Sequence, residues 1–186
     1  MRTAMGVERI GSAELKDLVA GGSTLDLVFP VASLARLAAL SPSAGHETSL
    51  RASLTFQSGS AGHLQVDSQV QPQVQLRVAG AVDLACQRCL QPLVLPVAIE
   101  VLLTMVRSEE KAAELVDAFD TVLLEDGELA PAQVVEDEVL AWLPLAPKHS
   151  DETSCGRDAG LISGEMHRPL AGLADLLGRG DRQGDG

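Results

Sequence analysis

From residue 50 the chain keeps a strict period of two: Leu50, Ala52, Leu54 and Phe56 alternate with Arg51, Ser53, Thr55 and Gln57. Only an extended strand sends successive side chains to opposite faces, so this segment predicts a strand with one buried and one solvated face. A second run over residues 70–84 carries Val74, Leu76, Val78, Val82 and Leu84, broken at Gly80, where a bend or bulge is expected. A third run, residues 93–106, is rich in Val, Ile and Leu. Three consecutive strands of this length predict an antiparallel sheet whose apolar face must be covered.

Helical spacing supplies the cover. Ser12 is expected to cap a short helix presenting Leu15, Leu18 and Val19 and closing at Gly21 and Gly22. Residues 24–29 read as a strand, and Pro30 suits the first position of a second helix carrying Val31, Leu34, Leu37 and Ala38, which stops near Ser41 and Pro42. Residues 59–62 read as a turn, residues 108–118 as a helix or solvated loop, residues 121–124 as a short strand and Asp126-Gly127 as a turn. From Pro131 a helix is expected to reach Leu143, with Val135, Val139, Trp142 and Leu143 on one stripe and Glu136, Asp137 and Glu138 leaning away from it. Pro144 ends it, and the following LPLAPKH stretch is expected to be extended. The fold class is therefore α+β: one domain over residues 1–160, with a curved antiparallel sheet around residues 50–106 and covering helices, followed by a loosely held tail at 161–186 whose apolar patch is Leu170, Leu173, Leu176 and Leu177.

Composition narrows the function. Only Phe29, Phe56, Phe119 and Trp142 are aromatic and tyrosine is absent, which argues against the stacking platforms used to hold single-stranded nucleic acid. The net charge of -12 argues against a broad phosphate-binding face. That charge is concentrated: residues 1–106 carry 7 basic and 8 acidic side chains, residues 107–152 carry 3 and 13, and residues 153–186 carry 4 and 5. The acidic segment opposes RNA contact along residues 109–152, whereas the nearly neutral strand region with Arg51, Arg77 and Arg88 leaves local RNA contact open. No stretch approaches the ~18 apolar residues of a membrane span, and the first residues lack the apolar core of a secretory signal, so the cytoplasm is the expected location. Three cysteines in such a chain point to metal ligands, thiols or core residues before a disulfide framework.

The sharpest motif is Cys86-Gln87-Arg88-Cys89, placed between the two longest strands and so in a hairpin turn. Two thiolates at that spacing can share one metal ion, and tetrahedral zinc needs two more ligands. His149 and Cys155, in H-x5-C spacing, are the candidates, giving a Cys3His structural zinc site of Cys86, Cys89, His149 and Cys155. Cysteines buried without metal are the competing reading. A thioredoxin-type redox pair would follow a strand and open a helix, whereas this one joins two strands. Zinc deaminases need H-x-E and P-C-x-x-C, but Glu47 directly follows His46 and Ala85 precedes Cys86. Leu90 stands where haem attachment requires histidine. No nucleophile elbow, P-loop or dinucleotide fingerprint occurs, and no small-molecule substrate is indicated. His46, His63 and His167 read as exposed surface residues. Glu136, Asp137 and Glu138 are either a solvated helix face or a docking face for a basic partner.

Taken together, CQRCLQP before a strand, VRSEEKAAEL, VVEDEVLAWLPLAPKH, a cysteine six residues after that histidine and a terminal RPLAGLADLL resemble the bacterial YceD-like family of large ribosomal RNA subunit accumulation proteins. The resemblance extends from about Ile10 to Leu177, and its pattern is matched at Cys86, Cys89, Pro144, Pro147, His149 and Cys155; it departs in having Arg168, Pro169 and Leu170 where asparagine and phenylalanine are expected. It implies a non-enzymatic role in the synthesis, processing or stability of 23S rRNA, with ribosomal or ribosome-assembly proteins as partners and indirect or local contact with the RNA. Two other readings stand beside it: a thiol or zinc-dependent enzyme centred on Cys86 and Cys89, and an acidic module for a basic protein unrelated to ribosomes.

Overall fold

The computed structural model describes residues 3–4, 9–41, 47–59, 71–115, 119–150 and 155, the first pair as backbone only. The tail at 161–186, the histidines at 46, 63 and 167 and most of the turn expected at 59–62 lie outside the described residues. Six strands form one sheet in sequence order: β1 (Thr3–Ala4), β2 (Thr24–Pro30), β3 (Ser49–Ser58), β4 (Pro72–Ala85), β5 (Pro92–Val106) and β6 (Asp120–Leu123). Helices α1 (Ser12–Ala20), α2 (Ala35–Ala38), α3 (Glu109–Leu115) and α4 (Pro131–Trp142) complete the α+β fold. The middle of the sheet is antiparallel as expected, but both edges are parallel, β1 on β2 and β6 on β5, so the sheet is mixed. Among the described residues no helix is long and apolar enough to cross a membrane.

The alternation in β3 appears directly in the packing. Leu50, Ala52, Leu54 and Phe56 are buried, and across the ladder Leu54 faces Leu76 and Phe56 faces Val74. Each such leucine, valine or phenylalanine side chain removed from water contributes about 1.5–3 kcal/mol, so the paired inner faces of β3 and β4 carry much of the core. Leu15 of α1 and Val134, Val135 and Val139 of α4 close over it with Ile10 and Leu129, which exchange backbone hydrogen bonds of 2.8 and 3.0 Å.

Gly80 is not a bulge. The β4–β5 ladder runs without an inserted residue from Gln73↔Thr104 to Ala85↔Pro92. The glycine answers a close approach instead: a Cβ there would lie 2.3 Å from the Ser49 carbonyl oxygen, at a φ of +156°. Asp126 and Gly127 both have positive φ, 53° and 77°, the conformation of a tight two-residue reversal, and Glu125 pairs with Glu128 across it.

Three local expectations are corrected. α1 is preceded by Gly11 at its N-cap and receives no side-chain cap, so Ser12 is its first residue and not its cap. The second helix is split: Val31–Ser33 is a 3-10 turn, Leu34 is extended with φ -98° and ψ 100°, and only Ala35–Ala38 is α-helical. Val31, Leu34 and Leu37, spaced by three, are all buried, and a three-residue repeat aligns better in a 3-10 turn than in a 3.6-residue helix. In α4 the buried face includes Glu136 with Val135 and Val139, while Trp142 remains 40% exposed. Glu136 therefore does not lean away from the apolar stripe; hydrogen bonds to α2 draw it inward.

Candidate metal centre

β4 and β5 are joined by residues 86–91, a turn held by the Leu90 amide on the Cys86 carbonyl (2.8 Å) and the Cys86 amide on the Gln91 carbonyl (3.0 Å). Leu90 closes it at φ +60°. This places both cysteines of the C-x2-C motif on one side of the loop, Cys86 fully buried and Cys89 8% exposed. After α4, Pro144 and Pro147 keep the chain from continuing as a helix, and the Gln87 amide donates to the Pro147 carbonyl at 2.8 Å, docking this segment beside the hairpin. His149 and Cys155 arrive there as a consequence.

The four side chains converge. Cys86 Sγ lies 3.6 Å from Cys155 Sγ, and His149 Nδ1 lies 3.5 Å from both Cys89 Sγ and Cys155 Sγ. All four donor atoms fall within 4.8 Å of one another, and the three cysteines are free thiols. Around a tetrahedral ion with sulfur at about 2.3 Å and nitrogen at about 2.0 Å, the sulfur–sulfur edge is about 3.8 Å and the sulfur–nitrogen edge about 3.5 Å. The three observed edges are close to these values. The other imidazole nitrogen, Nε2, is 3.2 Å from the Pro92 carbonyl oxygen, which can only accept a hydrogen bond, so Nε2 carries the hydrogen and a neutral ring leaves the Nδ1 lone pair toward the sulfurs.

Electrostatics favour a cation at the centre. Burial pushes the Cys86 thiol up, but the backbone N–H groups of Cys89, Arg88 and His149, with the Cys89 thiol, more than offset it and bring it down to about 5. Cys155 moves the opposite way, raised by burial and then by its contacts with Cys86 and Cys89. One thiolate is thus stabilised by amides of the hairpin and of His149, and burial with the neighbouring sulfurs disfavours a second negative charge beside it. The cluster is close enough to bind a metal ion, and its donor set suits a thiophilic one.

The acidic triplet is divided by the structure. Glu136 is 7% exposed; it accepts from the amides of Arg36 (2.7 Å) and Leu37 (3.0 Å) and from Arg36 Nε (3.0 Å), so it is a tie between α4 and α2. Burial raises its carboxyl, but these bonds hold it below the usual carboxylate range. Asp137 is exposed and pairs with Arg36 Nη2 at 2.6 Å. Glu138 is half-buried, and burial with the charges of Asp120 and Asp137 raises its carboxyl. Asp137 and Glu138 join Glu125 and Glu128 around a cleft of about 200 Å³ between β6 and α4. On the solvated sheet face Arg77 is paired with Glu100 at 2.8 Å. Sequence reasoning missed the Glu136–Arg36 tie, since two of its three donors are main-chain amides that carry no sequence signal.

The sequence profile of the family described as Large ribosomal RNA subunit accumulation protein YceD matches residues 74–177. A protein named Large ribosomal RNA subunit accumulation protein YceD, from Haemophilus influenzae, is 33% identical over 104 residues, which cover 51% of this chain and 59% of that protein. The match thus spans less than two thirds of the relative's length. No solved structure matches the chain.

Proposed function

The chain belongs to the YceD family of large ribosomal RNA subunit accumulation proteins, and on that premise we propose that it is a non-enzymatic factor in ribosome biogenesis, supporting the synthesis, processing or stability of 23S rRNA in the cytoplasm. The observation that carries this reading is the family match over residues 74–177, which takes in β4, the cysteine hairpin, β5, α4 and Cys155. The test is the ratio of large-subunit to small-subunit rRNA in a deletion strain grown slowly and in the cold. A lowered ratio, restored by the wild-type chain, is expected; an unchanged ratio overturns the proposal.

Within that role, Cys86, Cys89, His149 and Cys155 hold a structural zinc ion, supported by the three short donor edges and by the Pro92 carbonyl fixing the imidazole tautomer. When bound, the ion supplies positive charge that lets three neighbouring sulfurs ionise together, and it clamps the segment after α4 onto the β4–β5 hairpin. One zinc per chain by elemental analysis is expected, and protein purified without chelator that is folded and metal-free would remove this part of the reading.

The protein acts as an adaptor. Asp137 and Glu138, with Glu125 and Glu128 across the cleft, offer a negative surface for a basic ribosomal or assembly protein. Reversing Asp137 and Glu138 to lysine is expected to abolish co-purification of such a partner, and undiminished capture counts against it. Glu136 is excluded from that surface by its burial.

A further inference from the structure

At the opposite end of β5 from the cysteine hairpin, the chain concentrates the other sign of charge. A cavity of about 580 Å³ opens between α1, the end of β5 and α3, and Lys16, Arg107 and Lys111 line it. This protein carries 26 acidic side chains against 14 basic, yet no carboxylate occurs among the described residues lining this cavity. Glu14 and the first-turn acids of α3, Glu109 and Glu110, are outside the lining. Lys111 is held by Glu114 at 2.8 Å, whereas Lys16 and Arg107 form no ion pair among the described residues.

The rest of the lining is as specific as its charge. Ser12 and Ser108 bring hydroxyl donors to the rim beside the cations. The accessible apolar lining is Val19, Ala20 and Pro72, while Leu15, Met105 and Leu124 lie beneath, each buried to within 4% of complete cover. A cavity of this size with a partly apolar wall and a cationic rim fits a ligand that is apolar at one end and anionic at the other. Gly127 passes close by, and a Cβ there would sit 3.8 Å from Ser12 Cβ and 4.0 Å from Arg107 Nη1.

We infer that this cavity binds one nucleotide, its phosphate held by Lys16, Arg107 and Lys111 and its sugar and base against Val19, Ala20 and Pro72. That the nucleotide is part of an RNA strand rests on the ribosomal reading above; the phosphate site itself does not. The overall charge excludes a broad RNA-binding face but permits a single local phosphate contact, because a local cluster of cations acts over a Debye length of about 8 Å at physiological salt.

The test is fluorescence anisotropy of the full chain with a labelled single-stranded RNA decamer, competed by adenosine monophosphate and by inorganic phosphate. Lys16→Gln combined with Arg107→Gln is expected to weaken RNA binding at least about tenfold, since each removes a charge-assisted contact. Arg51→Gln, an exposed arginine outside this cavity, is the charge control and is expected to change it by less than about twofold. Both Lys16 and Arg107 are exposed, so the double variant is expected to melt with the wild type. Competition by adenosine monophosphate at a lower concentration than inorganic phosphate supports the nucleotide. Binding of the mononucleotide without binding of RNA overturns the RNA source and leaves the phosphate site. No binding of any probe at millimolar concentration, or equal affinity in the double variant and the Arg51 control, overturns the inference whatever the rRNA ratio shows.

Discussion

Two polar clusters tie distant parts of this chain, one made of sulfur and imidazole and the other of a single carboxylate. The first joins Cys86 and Cys89 to His149 and Cys155; the second joins Glu136 of α4 to Arg36 and Leu37 of α2. The sulfur cluster brings donors together that, on the proposed reading, need an added ion to ionise as a set. The carboxylate arrives already charged and is satisfied by two amides and a guanidinium, so it needs nothing from outside. A ligand-dependent tie can be removed in solution without touching the sequence, and a self-contained one cannot.

The largest expected effect comes from taking the ion away. At metal a thousandfold above its Kd, binding adds about 4 kcal/mol to stability, and for a chain of this size chelation is expected to lower Tm by roughly 8–16 °C, read by calorimetry with and without a zinc chelator. Cys89→Ser is expected to melt with the chelated wild type and to be insensitive to chelator. An unchanged Tm in both would reduce the sulfur cluster to packed thiols and leave the carboxylate as the stronger tie.

Next in size is Glu136→Ala, which strands the Arg36 and Leu37 amides beneath α4 and leaves the half-exposed Arg36 guanidinium with Asp137 alone. The loss is expected to be about 2 kcal/mol, or roughly 4–8 °C in Tm, and to persist in chelator. If the two losses did not add in the chelated variant, the clusters would be coupled and not independent.

A smaller effect separates the charge of Glu136 from its shape. Its folded carboxyl is held below the unfolded value of about 4.3, so the stability it adds is fully present above that pH and is lost as pH falls through the lower folded value. Glu136→Gln, which keeps one acceptor oxygen, is expected to flatten the acid limb of a stability-against-pH curve below about pH 4 while costing less than the alanine at pH 7. An acid limb identical to the wild type would mean that other carboxylates carry it.

The smallest effect is expected from Asp137→Asn. Its ion pair with Arg36 is short, 2.6 Å, but both side chains are about half exposed, at 51% and 49%. Water screens such a pair, so Tm should move by roughly 2 °C or less. A larger drop would make Arg36 the hub of one network that includes Asp137.

The two clusters also differ in how far they can be read from residues alone. Cysteine and histidine are rare here, 3 and 4 in the chain, and C-x2-C with H-x5-C states a chemistry that few arrangements satisfy. Glu136 stands in a run of three acids on a helix, where solvent is the default partner. Its real partners are amides exposed by the splitting of the second helix at Leu34, a break that the spacing of Val31, Leu34 and Leu37 does not announce. The cavity lined by Lys16, Arg107 and Lys111 is equally silent, since its cations come from α1, from α3 and from the residue that follows β5, in a chain whose average charge is strongly negative.

By itself the sequence determined the elements whose signal is local: the buried and solvated faces of β3, the extents of β4, β5 and α4, the turn at Asp126-Gly127 and the cysteine hairpin. Period and turn chemistry act between neighbours, so they survive without knowledge of the rest of the chain. Tertiary structure alone decided which patches of each face are covered and which polar groups meet. Gln73 and Thr104 lie on the alternation's outward side yet are buried and bonded to each other at 3.3 Å, and Trp142 on the expected inward stripe is 40% exposed. The same holds for His149 and Cys155 reaching the hairpin 60 and more residues away, because that meeting depends on the path of the sheet and α4 between them. Burial and long-range pairing are set by where whole elements pack, which no local pattern encodes.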